Sequence, residues 1–395
     1  MHIKSRLSLY HGIDKLGLTN LISNIGFASV GTIWALYLES ILHNASYVGF
    51  VNSFLIVIGI LAYFLIIPLM QEKNKIKLYV SALFLYTLSY FLFTELSGLY
   101  AVIILGMIVA VAGSLRITSF GIIVRDKTRD GCVAKNKGLI YTSLNLAWMI
   151  GPLIAGFIAE KYGINKVFFF AAIVVFLSLI LFEIFKIKDS RKDKKVDENG
   201  FKVFVDFFKS KERVKSYILA GGGNFWWALI YTYIPIYIIQ NGLDDIIVGY
   251  FLFAIVVPLI LSEYLWGKLA GKIGFKKMFI IGFLSLGIIS IVCFFISNIY
   301  FLLGVLILAS FAVAMIEPTT EAYFLDIISE NQRDKYYGPF TTSIDATSLI
   351  ALMAGAVTLL FLPLKFVFLV FGGVMLIFVL ISFSIRDFFE NKKCQ

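Results

Sequence analysis

Charge is the scarcest ingredient of this chain. Only 15% of its 395 residues are Asp, Glu, Lys or Arg, against 59% hydrophobic residues, and the mean hydropathy is +0.89. A soluble globule needs a more polar surface, so a soluble domain is excluded. The three cysteines, Cys132, Cys293 and Cys394, show neither metal-ligand spacing nor a disulfide pattern. The three histidines, His2, His11 and His43, form no HExxH pair. The glycine run Gly221–Gly223 has no strand before it and no GKS or GKT after it, so ATP is excluded as a driving force. No nucleophile–base arrangement is visible, so the chain reads as a non-enzyme without cofactor or metal. No small-residue cleavage site follows the first apolar stretch, so no cleavable signal peptide is expected.

Long apolar runs take the place of charge. Twelve are read at 17–39, 46–69, 77–95, 98–123, 138–160, 165–185, 216–239, 245–266, 276–296, 299–324, 338–361 and 364–385. Each is long enough for a tilted membrane helix. Basic residues give a net charge of +10 and cluster in short loops on one side. The positive-inside rule then places both termini in the cytoplasm, and nucleic acid is not expected as a partner.

The two halves match without a gap at an offset of 200. Asn24 pairs with Asn224, Gly49 with Gly249, Lys77 with Lys277, Asp126 with Asp326, Gly138 with Gly338, and Ser143 with Ser343. Two similar halves can hold one site between them and rock about it, which is how secondary transporters are built. The predicted fold class is an all-α membrane protein, with twelve transmembrane helices in two pseudo-symmetric six-helix bundles at 1–185 and 216–395. The linker, 186–215, starts with a charged run and continues FKVFVDFFKSKERV. Phe201, Phe204, Phe207 and Phe208 share one helical face there, so a short amphipathic helix at the cytoplasmic surface is expected. It would join rocking halves or regulate them.

The loop after the eighth span, GKLAGKIGFKKM, resembles a signature of the major facilitator superfamily, GxLaDrxGrkxxl. Gly267, Leu269, Gly274, Lys276 and Lys277 fit, Lys272 stands where a base is expected, and Gly271 replaces the acid. The resemblance implies a gating loop, with Glu263 as a candidate substitute for that acid. Span five, LNLAWMIGPLIAGFIAEKYG, resembles the family's GP motif at Gly151, Pro152 and Gly156. Close packing at glycine and a bend at proline are its physical content. In the family it accompanies exporters that exchange solute for protons.

Charged residues inside spans are expensive and usually functional. The candidates are Arg116, Glu263, Glu317, Glu321 and Asp345. The offset sets Glu317 level with position 117, beside Arg116, and Glu321 lies one helical turn from Glu317. By the resemblance, spans one, four, seven and ten line a central cavity. Arg116 would then face Glu317, with Asn24 and Asn224 at a similar depth. Two readings stay open: a substrate and proton site, or a static Arg–Glu pair. Asp345 aligns with Asn145 and is either a site residue or a packing hydrogen bond. Trp226, Trp227 and Tyr231 of span seven can line a cavity for an aromatic or cationic compound, or face lipid.

The expected function is proton-coupled export of small amphipathic or drug-like molecules by alternating access. The expected partners are a small-molecule substrate, protons and the lipid bilayer of the cell (inner) membrane, with a monomer as the default. The alternative is a proton-coupled uptake symporter for a sugar, amino acid or organic anion, in which Arg116 would bind a carboxylate or phosphate.

Overall fold

The computed structural model describes residues 2–72, 74–127, 133–187, 200–329 and 332–386, and among these there is no strand. In hydrocarbon a helix pairs its own backbone groups, which is why apolar runs of this length become helices. The first six are α1 His2–Leu42, α2 Ala45–Glu72, α3 Lys75–Glu95, α4 Leu99–Lys127, α5 Val133–Tyr162 and α6 Ile164–Ile184. A short helix follows, α7 Gly200–Phe208, then α8 Lys211–Ala228, a π-helical turn Leu229–Tyr233 and α9 Ile234–Gln240. The remainder are α10 Asp245–Ile273, α11 Phe275–Phe295, α12 Ile299–Ile327, α13 Arg333–Thr341, α14 Ser343–Phe361 and α15 Val367–Phe383.

Eleven helical stretches among the described residues are long and apolar enough to cross a membrane. The run expected as a seventh span, 216–239, is instead divided among α8, the π turn and α9. Pro235 has no N–H to return to the carbonyl of Tyr231, and the hydrogen-bond ladder widens just before it, where the Ile234 amide reaches back to Leu229. Positions 74 and 274 both cap helices. The Asn74 side chain accepts from the amides of Ile76 and Lys77 at 3.0 and 3.1 Å, whereas Gly274 takes φ +92°, which disfavours a residue with a Cβ. The glycine before the basic pair Lys276 and Lys277 thus has a backbone reason.

The chain forms two compact units. Unit 1 comprises Met1–His43, Phe54–Lys194 and Gly242–Phe253; unit 2 comprises Asn44–Ser53, Lys195–Asn241 and Ala254–Gln395. Each unit therefore takes in the first turns of one helix from the other half of the chain, α10 in unit 1 and α2 in unit 2. In unit 1, α1 lies against α5 and α6, and α3 against α4 and α6. Glycine sets these spacings. A Cβ on Gly151 would meet the Ala28 Cβ at 2.6 Å, and the Ser29 hydroxyl donates to the Gly151 carbonyl at 3.2 Å. A Cβ on Gly249 would meet the Pro152 carbonyl oxygen at 2.6 Å and the Gly156 Cα at 3.0 Å. The Gly-Pro stretch of span five is thus a packing surface on two sides.

Unit 2 repeats that crossing. A Cβ on Gly49 would meet the Ala356 Cβ at 2.8 Å and the Leu352 carbonyl oxygen at 3.1 Å. Positions 49 and 249, 152 and 352, and 156 and 356 are each related by the offset of 200, so the repeat in sequence is also a repeat in packing. Elsewhere in unit 2, α11 lies against α12 and α15, and α8 against α14 and α12.

The amphipathic helix of the linker is present as α7, but its apolar face packs on protein. Phe207 is fully buried with Phe324, Ile328, Tyr336 and Phe340, and Val203 packs beside them. The side chain of Phe201 and the charged run 188–199 lie outside the described residues. Arg213 holds the end of α7, donating from Nε to the Phe207 carbonyl at 2.9 Å and from a terminal nitrogen to the Asp206 carbonyl at 2.6 Å. Its guanidinium lies 4.2 Å from the Tyr336 ring centroid, and the Tyr336 hydroxyl donates to the Asp206 carboxylate at 2.5 Å. That hydrogen bond, followed by Lys209 and Lys335, lowers the Asp206 carboxyl from its usual range against the opposing effect of desolvation.

Gly151→Leu should destabilise the detergent-solubilised protein by about 1–3 kcal/mol through overpacking. Gly304→Ala, where nothing lies within 4 Å of the new Cβ, should leave the thermal midpoint within error of wild type. Because the Asp206 carboxyl titrates lower folded than unfolded, its contribution to docking α7 is fully present above the unfolded range. It is lost as pH falls through the lowered folded value. Limited proteolysis across α7 should accelerate on acidification in wild type, while Asp206→Asn should already be cut fast at neutral pH and show no such dependence.

Candidate functional site

Each unit carries a polar cluster centred on a charged residue inside its helices. In unit 2 the centre is Glu317 of α12. The Trp227 indole N–H donates to Glu317 Oε1 at 2.6 Å, and the Tyr231 ring lies 5.6 Å from the Trp227 ring. Trp227 and Tyr231 flank the start of the π turn, so the widened ladder sets how both rings are presented. Gly223 lies beside the carboxylate, and a Cβ there would stand in ordinary contact with Glu317 Cγ at 3.6 Å. Pro318 follows directly and removes the amide that would serve the Ala314 carbonyl. Thr319 and Thr320 hydroxyls donate nearby, to the Met315 and Glu317 carbonyls at 2.6 and 2.8 Å.

The other acids of unit 2 have separate surroundings. Glu321 accepts from the Tyr337 hydroxyl of α13 at 2.9 Å. Glu263 lies within electrostatic range of Glu317, and among the described residues it has no ion-pair partner in the basic loop. Asp345 sits in the first turn of α14, where the helix dipole favours a carboxylate, and Tyr217 is its electrostatic neighbour. Trp226 is fully buried within unit 2, and Asn224 is half-buried on α8. In the loop after α10, Lys272 and Lys277 are exposed and Lys276 is half-buried. Nothing lies within 4 Å of where a Gly267 Cβ would stand, and Gly271 is helical.

In unit 1 the centre is Arg116 of α4, half-buried with its guanidinium carbon 4.4 Å from the Phe27 ring centroid. Tyr79, Tyr86 and Tyr90 of α3 lie within its electrostatic reach. Gly113 admits Tyr86, since a Cβ there would meet the Tyr86 hydroxyl at 2.8 Å. Among the described residues no carboxylate stands within ion-pair distance of Arg116, and its Nε has no hydrogen-bond partner. A cation–π contact is worth about 0.5–2 kcal/mol, whereas taking a charge out of water costs several kcal/mol. The Phe27 face alone does not offset that cost.

Asn24 is buried and satisfied locally, donating to the Asn20 carbonyl and side-chain oxygen at 2.7 and 2.8 Å. Asn20 in turn donates to the Ser143 hydroxyl of α5 at 2.9 Å. The two asparagines therefore tie α1 to α5. Tyr79, Tyr86, Tyr90, Tyr337 and Asn20 were not among the candidates read from the sequence. The spacing of the three α3 tyrosines, seven and four residues, was the available signal, because it puts them on one helical face.

The family profile described as Major Facilitator Superfamily matches residues 16–262 and 247–393. An uncharacterized MFS-type transporter of Methanocaldococcus jannaschii is 27% identical over 249 residues, 60% of this chain and 61% of that protein. The staphylopine export protein of Staphylococcus aureus is 25% identical over 249 residues, with the same coverage of 60% and 61%. The match thus spans under two thirds of the length of these curated relatives. Among solved structures, a POT family transporter in complex with 5-aminolevulinic acid superposes with a TM-score of 0.78 at 12% identity, covering 95% of this chain and 96% of that one. At that identity the likeness is one of fold.

The Trp227–Glu317 hydrogen bond should be measurable as a coupling energy. Trp227→Phe and Glu317→Leu should each destabilise the protein by about 1–3 kcal/mol, because each strands a polar partner. The double variant should lose less than the sum in a mutant cycle read by unfolding in detergent. Additive losses would mean the bond contributes nothing.

Proposed function

The chain belongs to the Major Facilitator Superfamily, and from that premise we propose that it is a secondary active transporter. It couples export of small amphipathic or drug-like molecules to protons by alternating access. The observation that carries this reading is the Glu317 carboxylate held inside a membrane bundle by the neutral Trp227 N–H at 2.6 Å. A carboxyl group has two forms. The anion only accepts hydrogen bonds, and the acid also donates one. The indole N–H can serve an oxygen of either form, so Glu317 can take up or release a proton without losing that contact. Tyr231 and Trp227 supply aromatic surface beside it for an apolar or cationic solute. Glu321, Glu263 and Asp345 are the further acids of the proposed path.

On this reading α8, the π turn and α9 form one interrupted span, a twelfth beside the eleven continuous ones. Interrupted helices at binding sites are a recurring feature of transporters. The two six-helix bundles are then 1–185 and 216–395, joined by 186–215, in a monomer of the cell membrane with both termini cytoplasmic. The basic loop after α10 supports that orientation. The name of the Staphylococcus aureus relative favours export. Arg116, lacking an acidic partner among the described residues, favours a second reading: proton-coupled uptake of an organic anion, amino acid or sugar.

Proteoliposomes with an imposed pH gradient test the proposal. A panel of cationic dyes, sugars and organic acids is offered to wild type and Glu317→Gln, which keeps an acceptor oxygen but cannot titrate. Gradient-driven dye movement that the variant abolishes is the expected result. Uptake of an acid or sugar in place of dye would favour the second reading, and pH-driven transport surviving in Glu317→Gln would remove the proton role.

A further inference from the structure

Tyr233 ends the π turn and is fully buried. Its hydroxyl donates to the Leu352 carbonyl of α14 at 2.7 Å. Two glycines admit it. A Cβ on Gly355 of α14 would overlap the Tyr233 ring, and one on Gly49 of α2 would meet the hydroxyl oxygen at 2.5 Å. One turn along α14, the Ala356 carbonyl accepts from the buried Ser46 hydroxyl of α2 at 2.7 Å. Two hydroxyls therefore fasten one face of α14 where α2 crosses it within unit 2, one from α2 and one from the π turn. The corresponding crossing in unit 1, of α10 and α5, is not fastened this way. The offset of 200 puts Ile33 at the place of Tyr233 and Ile246 at the place of Ser46, so packing of Gly249 on Gly156 and the Pro152 carbonyl takes over there.

We propose that Tyr233 is a positioning residue of the transport cycle, a bolt that ties the π turn to the crossing of α2 and α14 and so links that crossing to Glu317. The turn has a tether at each end. Just before it Trp227 donates to Glu317 at 2.6 Å, and at its end Tyr233 donates to Leu352. A π turn is less regular than the α-helix on either side and is held by its surroundings. Each tether fixes the setting of the turn in which the other forms, so the two strengthen each other, and the effect is reciprocal. A proton or cargo that draws Trp227 from Glu317 thereby loosens Tyr233, and the crossing loses one of its two hydroxyl fastenings. The crossing in unit 1 has no such link, so release starts in unit 2. Assigning the trigger to a proton or cargo rests on the proton-coupled reading of Glu317; the fastening of the crossing does not.

Thiol accessibility tests the bolt without a gradient or a cargo. In a background carrying Cys132→Ser, Cys293→Ala and Cys394→Ser, Leu352→Cys puts a thiol at a buried position of the crossing and keeps the carbonyl that Tyr233 uses. Purified full-length protein in detergent is labelled with a charged maleimide. Labelling should be slow with Tyr233 in place and about fivefold faster in Tyr233→Phe, which keeps the ring and loses one hydrogen bond. Ser46→Ala, which removes the other fastening, should accelerate it by a similar factor. Trp227→Phe should accelerate labelling when Tyr233 is present and add nothing in Tyr233→Phe, whereas a merely structural role for Tyr233 would leave the two effects independent. Unchanged labelling in Tyr233→Phe would overturn the bolt, and effects of Trp227→Phe and Tyr233→Phe that multiply would overturn its link to Glu317. If Tyr233→Phe does not fold, Trp227→Phe decides alone, acceleration supporting the proposal and an unchanged rate overturning it. Transport that survives in Glu317→Gln would remove the proton role and leave these rates as they are, so the two proposals fail separately.

Discussion

Water is absent from the hydrocarbon core of a bilayer, and that absence governs the polar atoms of the membrane-spanning helices. A backbone or side-chain group that would be solvated elsewhere must find its partner inside the helices. Hydroxyls along the spans mostly turn back on their own helix. Thr32 donates to the Ala28 carbonyl at 2.8 Å, Ser53 to Gly49 at 2.8 Å and Ser382 to Phe378 at 2.7 Å. Others cross to a neighbour: Ser178 of α6 to the Thr19 carbonyl and Ser290 of α11 to the Phe368 carbonyl, both at 2.8 Å. Where proline deletes an amide, at Pro235 and Pro318, the ladder widens into a π turn or threonine hydroxyls crowd the following turn.

Against this background the two central clusters differ from the rest and from each other. Glu317 is an acid met by a neutral donor, so its surroundings can serve it whether or not it carries a proton. Arg116 is a base met by rings and hydroxyls, a setting that tolerates a cation but does not neutralise it. The first arrangement suits a group that changes charge.

Close packing without large side chains is the second consequence of the membrane setting. Apolar chains gain little by leaving lipid for one another, so helices are held by near approach of their backbones. Gly151 against Ala28 and Gly249 against Gly156 achieve this in unit 1, and Gly49 against Ala356 does so in unit 2. The short helix α7 follows a different rule. Phe207 and its aromatic neighbours bury as a soluble core does, and Arg213 and Tyr336 close the polar ends. The helix α7 of the linker is thereby part of unit 2.

The membrane class, nearly every helix and the twofold repeat were legible in the sequence, because hydropathy and periodicity are properties of a chain read in order. So was the position of Glu317 and Arg116 within helices, because a charge within an apolar run is conspicuous wherever it falls. The partners of those charges were not legible. Trp227 reaches Glu317 from 90 residues away, and Tyr79, Tyr86 and Phe27 reach Arg116 from two other helices. The rotation of each helix about its axis selects which side chains meet, and that rotation is set by glycine contacts distributed through the unit. The same reasoning explains Asn24, conspicuous in sequence but turned back onto Asn20, and α7, amphipathic in sequence but facing protein. Sequence alone determined which residues the membrane would make costly; only the tertiary structure decided what answers each of them, because hydrogen bonds and ring contacts form between surfaces that neither helix defines by itself.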